Sequence, residues 1–319
     1  ISYQAINSLN DDGIFSMILS DAFLTNIYYK DFRSFLLRNT NIQELLLAPW
    51  KLFHGRSADV RTCIITAIKK DITNIIFSLN NTINEVRLID RILNEDEYAN
   101  PSSIEMIKQD DFYKYPNMTF LIGIPSEIRN IYLNSEKRLG DIVKGGTGIS
   151  TGTDKKYLKK YGEVKNNKQW VPYYKNGARK AYWYTPEYAI EKNYKQYHKK
   201  ISNYLIRNEQ YFFKEGISCS SVGVRFSAAY MPPGCLFGVN ANFFFDDKDT
   251  MFYVLALLNS KLAWYFARKV LIRTNNISAN YLRLMPYKET ESSRKKKIIS
   301  IVKSIIENQK KDEKFDHTR

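Results

Sequence analysis

The chain has 319 residues, 44% of them apolar and 14% aromatic, which is enough for two domains with real cores and too hydrophobic for a disordered chain. Its net charge of +15 is lopsided: residues 1–134 hold 13 Lys and Arg against 16 Asp and Glu, whereas residues 135–319 hold 35 against 17. No apolar run approaches the roughly 18 residues of a membrane span, no signal peptide is visible, and neither the scattered histidines nor Cys63, Cys219 and Cys235 have metal-ligand spacing, so neither a membrane nor a metal is expected.

The three cysteines sit in mostly apolar surroundings and are expected to be reduced core thiols of a cytoplasmic protein. The chain opens on Ile1 in the middle of a helical pattern, which predicts a piece of a longer protein. Residues 1–9 form the end of a helix, stopped by Asn10-Asp11-Asp12-Gly13. Residues 14–19 (IFSMIL) are a short apolar run, expected as a buried parallel strand. Residues 26–38 place Ile27, Phe32, Phe35 and Leu36 near one helical face. Residues 42–47 predict a second strand and residues 60–68, rich in β-branched side chains, a third. Strand, helix, strand, loop, strand is the back half of a doubly wound sheet. The expected fold class of residues 1–95 is therefore α/β, a partial Rossmann-like domain.

Residues 86–92 fit either a strand or a helix. The acidic stretch 94–103, with Asn100-Pro101, marks a connection, so residues 96–134 are expected to link two domains. From 135 to 291 short β-like segments (170–174, 182–184, 216–219, 234–239) alternate with Gly, Pro and Asn, predicting a mixed, strand-rich α+β domain. Residues 252–270 then show helical periodicity. Residues 292–311 form an amphipathic helix with Ile298, Ile301, Val302, Ile305 and Ile306 on one side, within a basic C-terminal segment 292–319.

Residues 141–156 (DIVKGGTGISTGTDKK) hold four Gly within eight residues. The segment lacks the Gly-Lys-Ser/Thr ending of a P-loop. It fits either a β-hairpin turn or a loop against a nucleic-acid backbone, flanked by Lys144, Lys155, Lys156, Lys159 and Lys160. Residues 169–184 (QWVPYYKNGARKAYWY) interleave aromatics with Lys175, Arg179 and Lys180. Aromatics stack on bases and cations neutralise phosphate, although core strands with solvated charges would look alike. Arg225, Arg268, Arg273 and Arg283 complete the candidates, since Arg matches a guanine edge with two parallel hydrogen bonds. The run Arg294-Lys295-Lys296-Lys297 is the solvated face of the last helix. Glu163-Val164-Lys165 has the Glu-x-Lys pattern of metal-dependent nucleases but no Pro-Asp upstream, and no catalytic residue is nominated. Basic charge with aromatics predicts a nucleic-acid-binding module.

Several strings also agree, in order, with one family. Ser20-Asp21-Ala22-Phe23-Leu24-Thr25, a helix ending in Arg38-Asn39, then residues 42–49, Phe53 and 60–68, resemble the region after the catalytic loop of adenine-N6 DNA methyltransferases of the fused restriction–modification (type IIG-like) kind. Leu139-Gly140-Asp141-Ile142-Val143, Gly148-Ile149-Ser150-Thr151-Gly152, Trp170-Val171-Pro172-Tyr173, Tyr211-Phe212-Phe213-Lys214-Glu215-Gly216-Ile217 and Leu257-Leu258-Asn259-Ser260-Lys261 resemble that family's target-recognition domain.

The resemblance implies the C-terminal half of such an enzyme, with double-stranded DNA as partner and S-adenosylmethionine as cofactor of the parent. A catalytic region, with or without a nuclease, would precede it in cis, or a methylase subunit would act in trans. Two departures matter. The family's Gly-containing cofactor loop and its Asn/Asp-Pro-Pro-Tyr/Phe loop are missing; Asn100-Pro101 is followed by Ser102. This chain alone is therefore expected to bind no cofactor and transfer no methyl group. Phe53 matches the aromatic that faces the flipped base, and equally fits a core position. A free-standing DNA specificity subunit and an RNA-binding protein are the alternatives.

Overall fold

Strand-forming runs in the first part of the chain assemble into one sheet. The computed structural model describes residues 1–48, 61–70, 84–90, 104–221, 226–272 and 276–316. The chain divides into two units, Ile1–Asn134 and Ser135–Arg319. In the first unit β1 (Ile14–Ser20), β2 (Thr40–Leu47), β3 (Thr62–Lys69), β4 (Glu85–Ile89) and β5 (Ile104–Lys108) lie in the order β1-β3-β2-β4-β5. Only β2 and β4 run parallel; the other neighbours are antiparallel.

The run 14–19 is thus not a buried parallel strand. It pairs antiparallel with β3 along its length and stands last in the strand order. Phe15 is 5% exposed, but Ile14 is 68% and Ile18 45% exposed. Successive side chains of a strand point to opposite faces, so this apolar run covers both faces while only one is buried. Strand direction leaves no mark on such a short run.

The helix expected over 26–38 starts later, as one 3-10 turn, Ile27–Tyr29, followed by the α-helix Lys30–Asn39. Its buried face carries Leu36, Leu37 and, unexpectedly, Arg33. Arg33 donates to the carbonyls of Phe23 at 2.6 Å, Asn26 at 2.9 Å and Asn117 at 2.9 Å. Carbonyl oxygens replace its hydration, which makes the buried cation tolerable. Gln109 works in the same way: its amide nitrogen donates to Leu37 and Thr40 carbonyls, and its oxygen accepts from Ile42 N and Asn84. Residues 104–134 add β5, the 3-10 stretch Gln109–Lys114 and the helix Ser126–Asn134 to this unit. Phe53, Val60 and the segment 94–103 lie outside the described residues.

The second unit holds β6 (Lys137–Arg138), β7 (Lys144–Gly146), β8 (Leu158–Lys160), β9 (Trp170–Tyr174), β10 (Tyr188–Glu191), β11 (Gly216–Cys219), β12 (Ala228–Met231), β13 (Leu236–Phe237), β14 (Asn242–Phe244) and β15 (Pro286–Tyr287). They form two four-stranded sheets, β13-β9-β10-β8 and β12-β11-β14-β7, and the pair β15-β6. Segments 170–174 and 216–219 are strands to the residue. Segment 182–184 makes only a bridge from Tyr182 to Ala229, and 234–239 narrows to β13. The core is aromatic, with Tyr173, Tyr174, Tyr204, Phe212, Phe237 and Phe244 buried together.

The helical stretch 252–270 is broken into Lys248–Leu258, Lys261–Tyr265 and a π-helical turn, Phe266–Leu271. The break has a cause: Asn259 turns its amide to both the N–H and the carbonyl of Ala228, at 3.0 and 2.9 Å, and Ser260 caps the next helix. The last helix spans Ser292–Lys311 and packs on Lys248–Leu258. It buries Ile299, Val302 and Ile306, whereas Ile301 is 52% exposed, so the buried face is rotated from the expected one. All three cysteines are buried and none is in a disulfide, and burial pushes the Cys235 thiol up to about 12. Among the described residues no helix is long and apolar enough to cross a membrane.

Candidate nucleic-acid interface

The sheet β13-β9-β10-β8 and the segments joined to it gather half of the twelve cations singled out in the sequence. The helix Asp154–Tyr157 carries Lys155 and Lys156 on its exposed side and runs directly into β8, which carries Lys159 and Lys160. Asp154 pairs with Lys175 at 2.6 Å. Lys175 and Lys160 both lie over the Tyr188 ring, at 4.9 and 4.7 Å. Lys160 pairs with Glu187, and the same carboxylate pairs with Arg179. Lys159 lies over Trp170 at 4.8 Å and Lys156 over Tyr157 at 5.4 Å. One contiguous network therefore runs Asp154–Lys175–Tyr188–Lys160–Glu187–Arg179, with Lys155, Lys156 and Lys159 beside it.

Two carboxylates in this cationic setting are held ionised. The Lys160 ammonium, then Arg179, holds the Glu187 carboxyl below its ordinary range, and Glu187 in turn raises Lys160. Burial opposes ionisation of Asp154, but hydrogen bonds from Lys175 and Thr151 outweigh it and keep the carboxyl low. Asp154, Glu187 and Tyr188 are not among the residues that the sequence singles out, which are cations. The signal available was two acidic residues inside strongly basic stretches.

Arg179 does not lie in a strand, as expected from its flanks, but in the loop after β9. That loop is fixed by three consecutive carbonyls. Asn176 O accepts from Ser221 N and Oγ at 3.2 and 3.1 Å, Gly177 O from the Tyr184 hydroxyl at 2.5 Å, and Ala178 O from Ser227 Oγ at 3.0 Å. Gly177 has φ +71°, and a Cβ there would fall on the Cys219 carbonyl. Half of the six aromatics of 169–184 serve the core: Tyr173, Tyr174 and Tyr184 are buried, whereas Trp170, Tyr182 and Trp183 are partly exposed.

The other candidates lie apart from this network. The Gly-rich segment is packed inside the unit: Gly148 N donates to Gly238 O, Ile149 N to Phe237 O and Ser150 N to Leu205 O, at 2.7, 2.9 and 2.8 Å. Arg283 braces its start, donating to the carbonyls of Val143 and Gly145 at 2.9 Å, and burial lowers its pKa. Lys144 pairs with Asp246 at 2.6 Å. Lys180 donates to the Glu313 carbonyl near the chain end. Arg268 sits half-buried in the π-helical turn. Arg225 and Arg273 lie outside the described residues. Of the run 294–297, Lys295 is engaged with Glu289 at 2.7 Å, while Arg294, Lys296 and Lys297 are exposed.

No family model matches the chain. By sequence it is similar to adenine-specific methyltransferases. It shares 26% identity over 232 residues with PglX of Lacticaseibacillus casei (strain Zhang), covering 64% of this chain and 19% of that protein. It shares 26% over 191 residues with BrxX of Escherichia coli O9:H4 (strain HS), covering 56% and 16%. The match spans less than a fifth of the length of these curated relatives. By fold it is similar to the type IIL restriction-modification enzyme MmeI, solved in complex with DNA, with a TM-score of 0.60 at 10% identity over 98% of this chain and 44% of that one. The resemblance carried by the residue strings therefore agrees with the sequence similarity to adenine-specific methyltransferases, and the mixed α/β fold is similar to that of MmeI.

Proposed function

We propose that the unit Ser135–Arg319 is the DNA target-recognition part of a site-specific adenine-N6 DNA methyltransferase of a restriction–modification or phage-defence system. Residues 1–95 would then be the C-terminal half of its Rossmann-like methyltransferase domain. The observation that carries this reading is the contiguous array of Lys155, Lys156, Lys159, Lys160, Lys175 and Arg179 on the unit that holds the whole positive excess of the chain. Lysines on a helix and edge strand suit phosphates, which fix a protein on duplex DNA without reading its sequence. Both curated relatives are adenine-specific methyltransferases, which supports DNA as the partner.

The parent enzyme would use S-adenosylmethionine, and its methyl transfer requires the adenine to leave the base stack, because a stacked base hides the reacting atom. Among the described residues, the Gly-rich segment does not fit a cofactor cradle. It spends the N–H groups of Gly148, Ile149 and Ser150 on internal carbonyls, leaving them no donors for a ligand. The cofactor loop and the Asn-Pro-Pro-Tyr-type loop would come from a catalytic region preceding these residues in the same polypeptide.

The test is binding of the full chain to fluorescent duplex DNA across a salt series. Affinity is expected to fall steeply with salt, by about 0.9 in log–log slope per phosphate neutralised, and duplex DNA is expected to resist an equal concentration of RNA. Absence of binding at low salt, or displacement by RNA, overturns the reading.

A further inference from the structure

Arg179 differs from every other described arginine candidate in how it is held. Arg283 is spent on the carbonyls of Val143 and Gly145, and Arg268 is half-buried in its helical turn. Arg179 has 59% of its side chain exposed, yet its backbone follows three pinned carbonyls and its guanidinium meets a fixed carboxylate. Glu187 is only 26% exposed and takes two cations: Oε1 accepts from Lys160, and Oε2, shielded from solvent, faces Arg179 Nη2. Lys160 is further fixed over the Tyr188 ring.

A guanidinium has five donors in a planar fork, and a carboxylate on one nitrogen leaves the rest for an incoming acceptor pair. Guanine offers such a pair, O6 and N7, on its major-groove edge. Discrimination requires that the fork be oriented before binding, because a freely rotating arginine meets phosphate and base alike. Resting on the reading that this unit binds duplex DNA, we infer that Arg179 reads a guanine edge, that Glu187 is the positioning residue for its guanidinium, and that Lys160, held by the same carboxylate, contacts a neighbouring phosphate. One carboxylate thus couples a sequence-reading cation to a sequence-blind one, which fixes the register between base and backbone.

The experiment selects bound duplexes from a randomised pool with the full chain and with Arg179→Ala, Arg179→Lys, Glu187→Gln and Lys160→Ala, then measures each protein on the recovered site and its single-base changes. Thermal unfolding checks that each variant is folded; Arg179→Lys and Glu187→Gln, which keep charge or shape, carry the test if the alanine variant fails to fold. The wild-type chain is expected to recover a site with at least one fixed G·C pair. Arg179→Ala is expected to lose about 5- to 150-fold discrimination at that pair, and Arg179→Lys part of it. Glu187→Gln is expected to keep overall affinity while losing discrimination at the same pair, a readout that a purely structural role would not move. Lys160→Ala is expected to weaken all duplexes alike. An unchanged recovered site with Arg179→Ala, or a Glu187→Gln effect at a different base pair, overturns this inference alone. Failure of the wild-type chain to bind any duplex overturns the DNA reading beneath it as well.

Discussion

The Arg283 guanidinium donates to the Gly145 carbonyl at 2.9 Å, so an arginine that the sequence offers to DNA is consumed in holding the Gly-rich segment. A second donor reaches Val143 O at 2.9 Å, and the cation lies over the Phe243 ring at 5.8 Å. Arg283→Ala leaves those carbonyls without their donors. The expected loss is about 2–3 kcal/mol of stability in denaturant unfolding, with the salt slope of DNA binding unchanged. A large drop in slope with wild-type stability would place Arg283 on the DNA instead.

Lys155, Lys156 and Lys159 are exposed and have no carboxylate partner among the described residues. Replacing all three with Ala is expected to weaken binding to every duplex by a similar factor. The salt slope would fall by roughly 0.9 for every phosphate that is no longer neutralised. Lys144, already neutralised by Asp246, should change the slope less. Equal slopes for Lys144→Ala and the triple variant would show that ion pairing does not rank these lysines.

Asp247 caps the helix Lys248–Leu258, accepting from Thr250 N at 2.7 Å and Thr250 Oγ1 at 2.7 Å. The Thr250 hydroxyl, then its backbone N–H, holds the carboxyl below its ordinary value of 3.8. A carboxyl depressed in the folded state stabilises above its unfolded pKa and loses that contribution as pH falls through the folded one. Asp247→Ala should therefore cost about 1 kcal/mol at neutral pH and progressively less below pH 3.8. Urea midpoints of both proteins across that range check it; a constant difference would rule out the charged cap.

Gly177 has φ +71° and no room for a Cβ beside the Cys219 carbonyl. Gly177→Ala is expected to destabilise by roughly 2–4 kcal/mol, because a strained backbone and a backbone clash coincide. Calorimetry of the variant measures it. A loss under about 0.5 kcal/mol, the scale of an ordinary surface substitution, would mean that the loop carrying Arg179 is not rigidly seated.

The sequence by itself determined what depends on local pattern. The strands at 170–174 and 216–219 and the helix at 292–311 were legible, because side-chain periodicity and flanking turn residues are local properties. The charge asymmetry and the family resemblance were equally readable from residues alone. Only the tertiary structure decided which groups face which. IFSMIL gives no hint of strand direction, and Ile301 was assigned to a buried face that packing on the helix Lys248–Leu258 places elsewhere. Arg179, Arg283 and Lys180 look alike in sequence. Yet one is held outward by Glu187, one is drawn inward by the Val143 and Gly145 carbonyls, and one is tied to Glu313. A cation's availability depends on acceptors brought to it by long-range packing; Lys180 and Glu313 are 133 positions apart, a separation at which local sequence pattern carries no information.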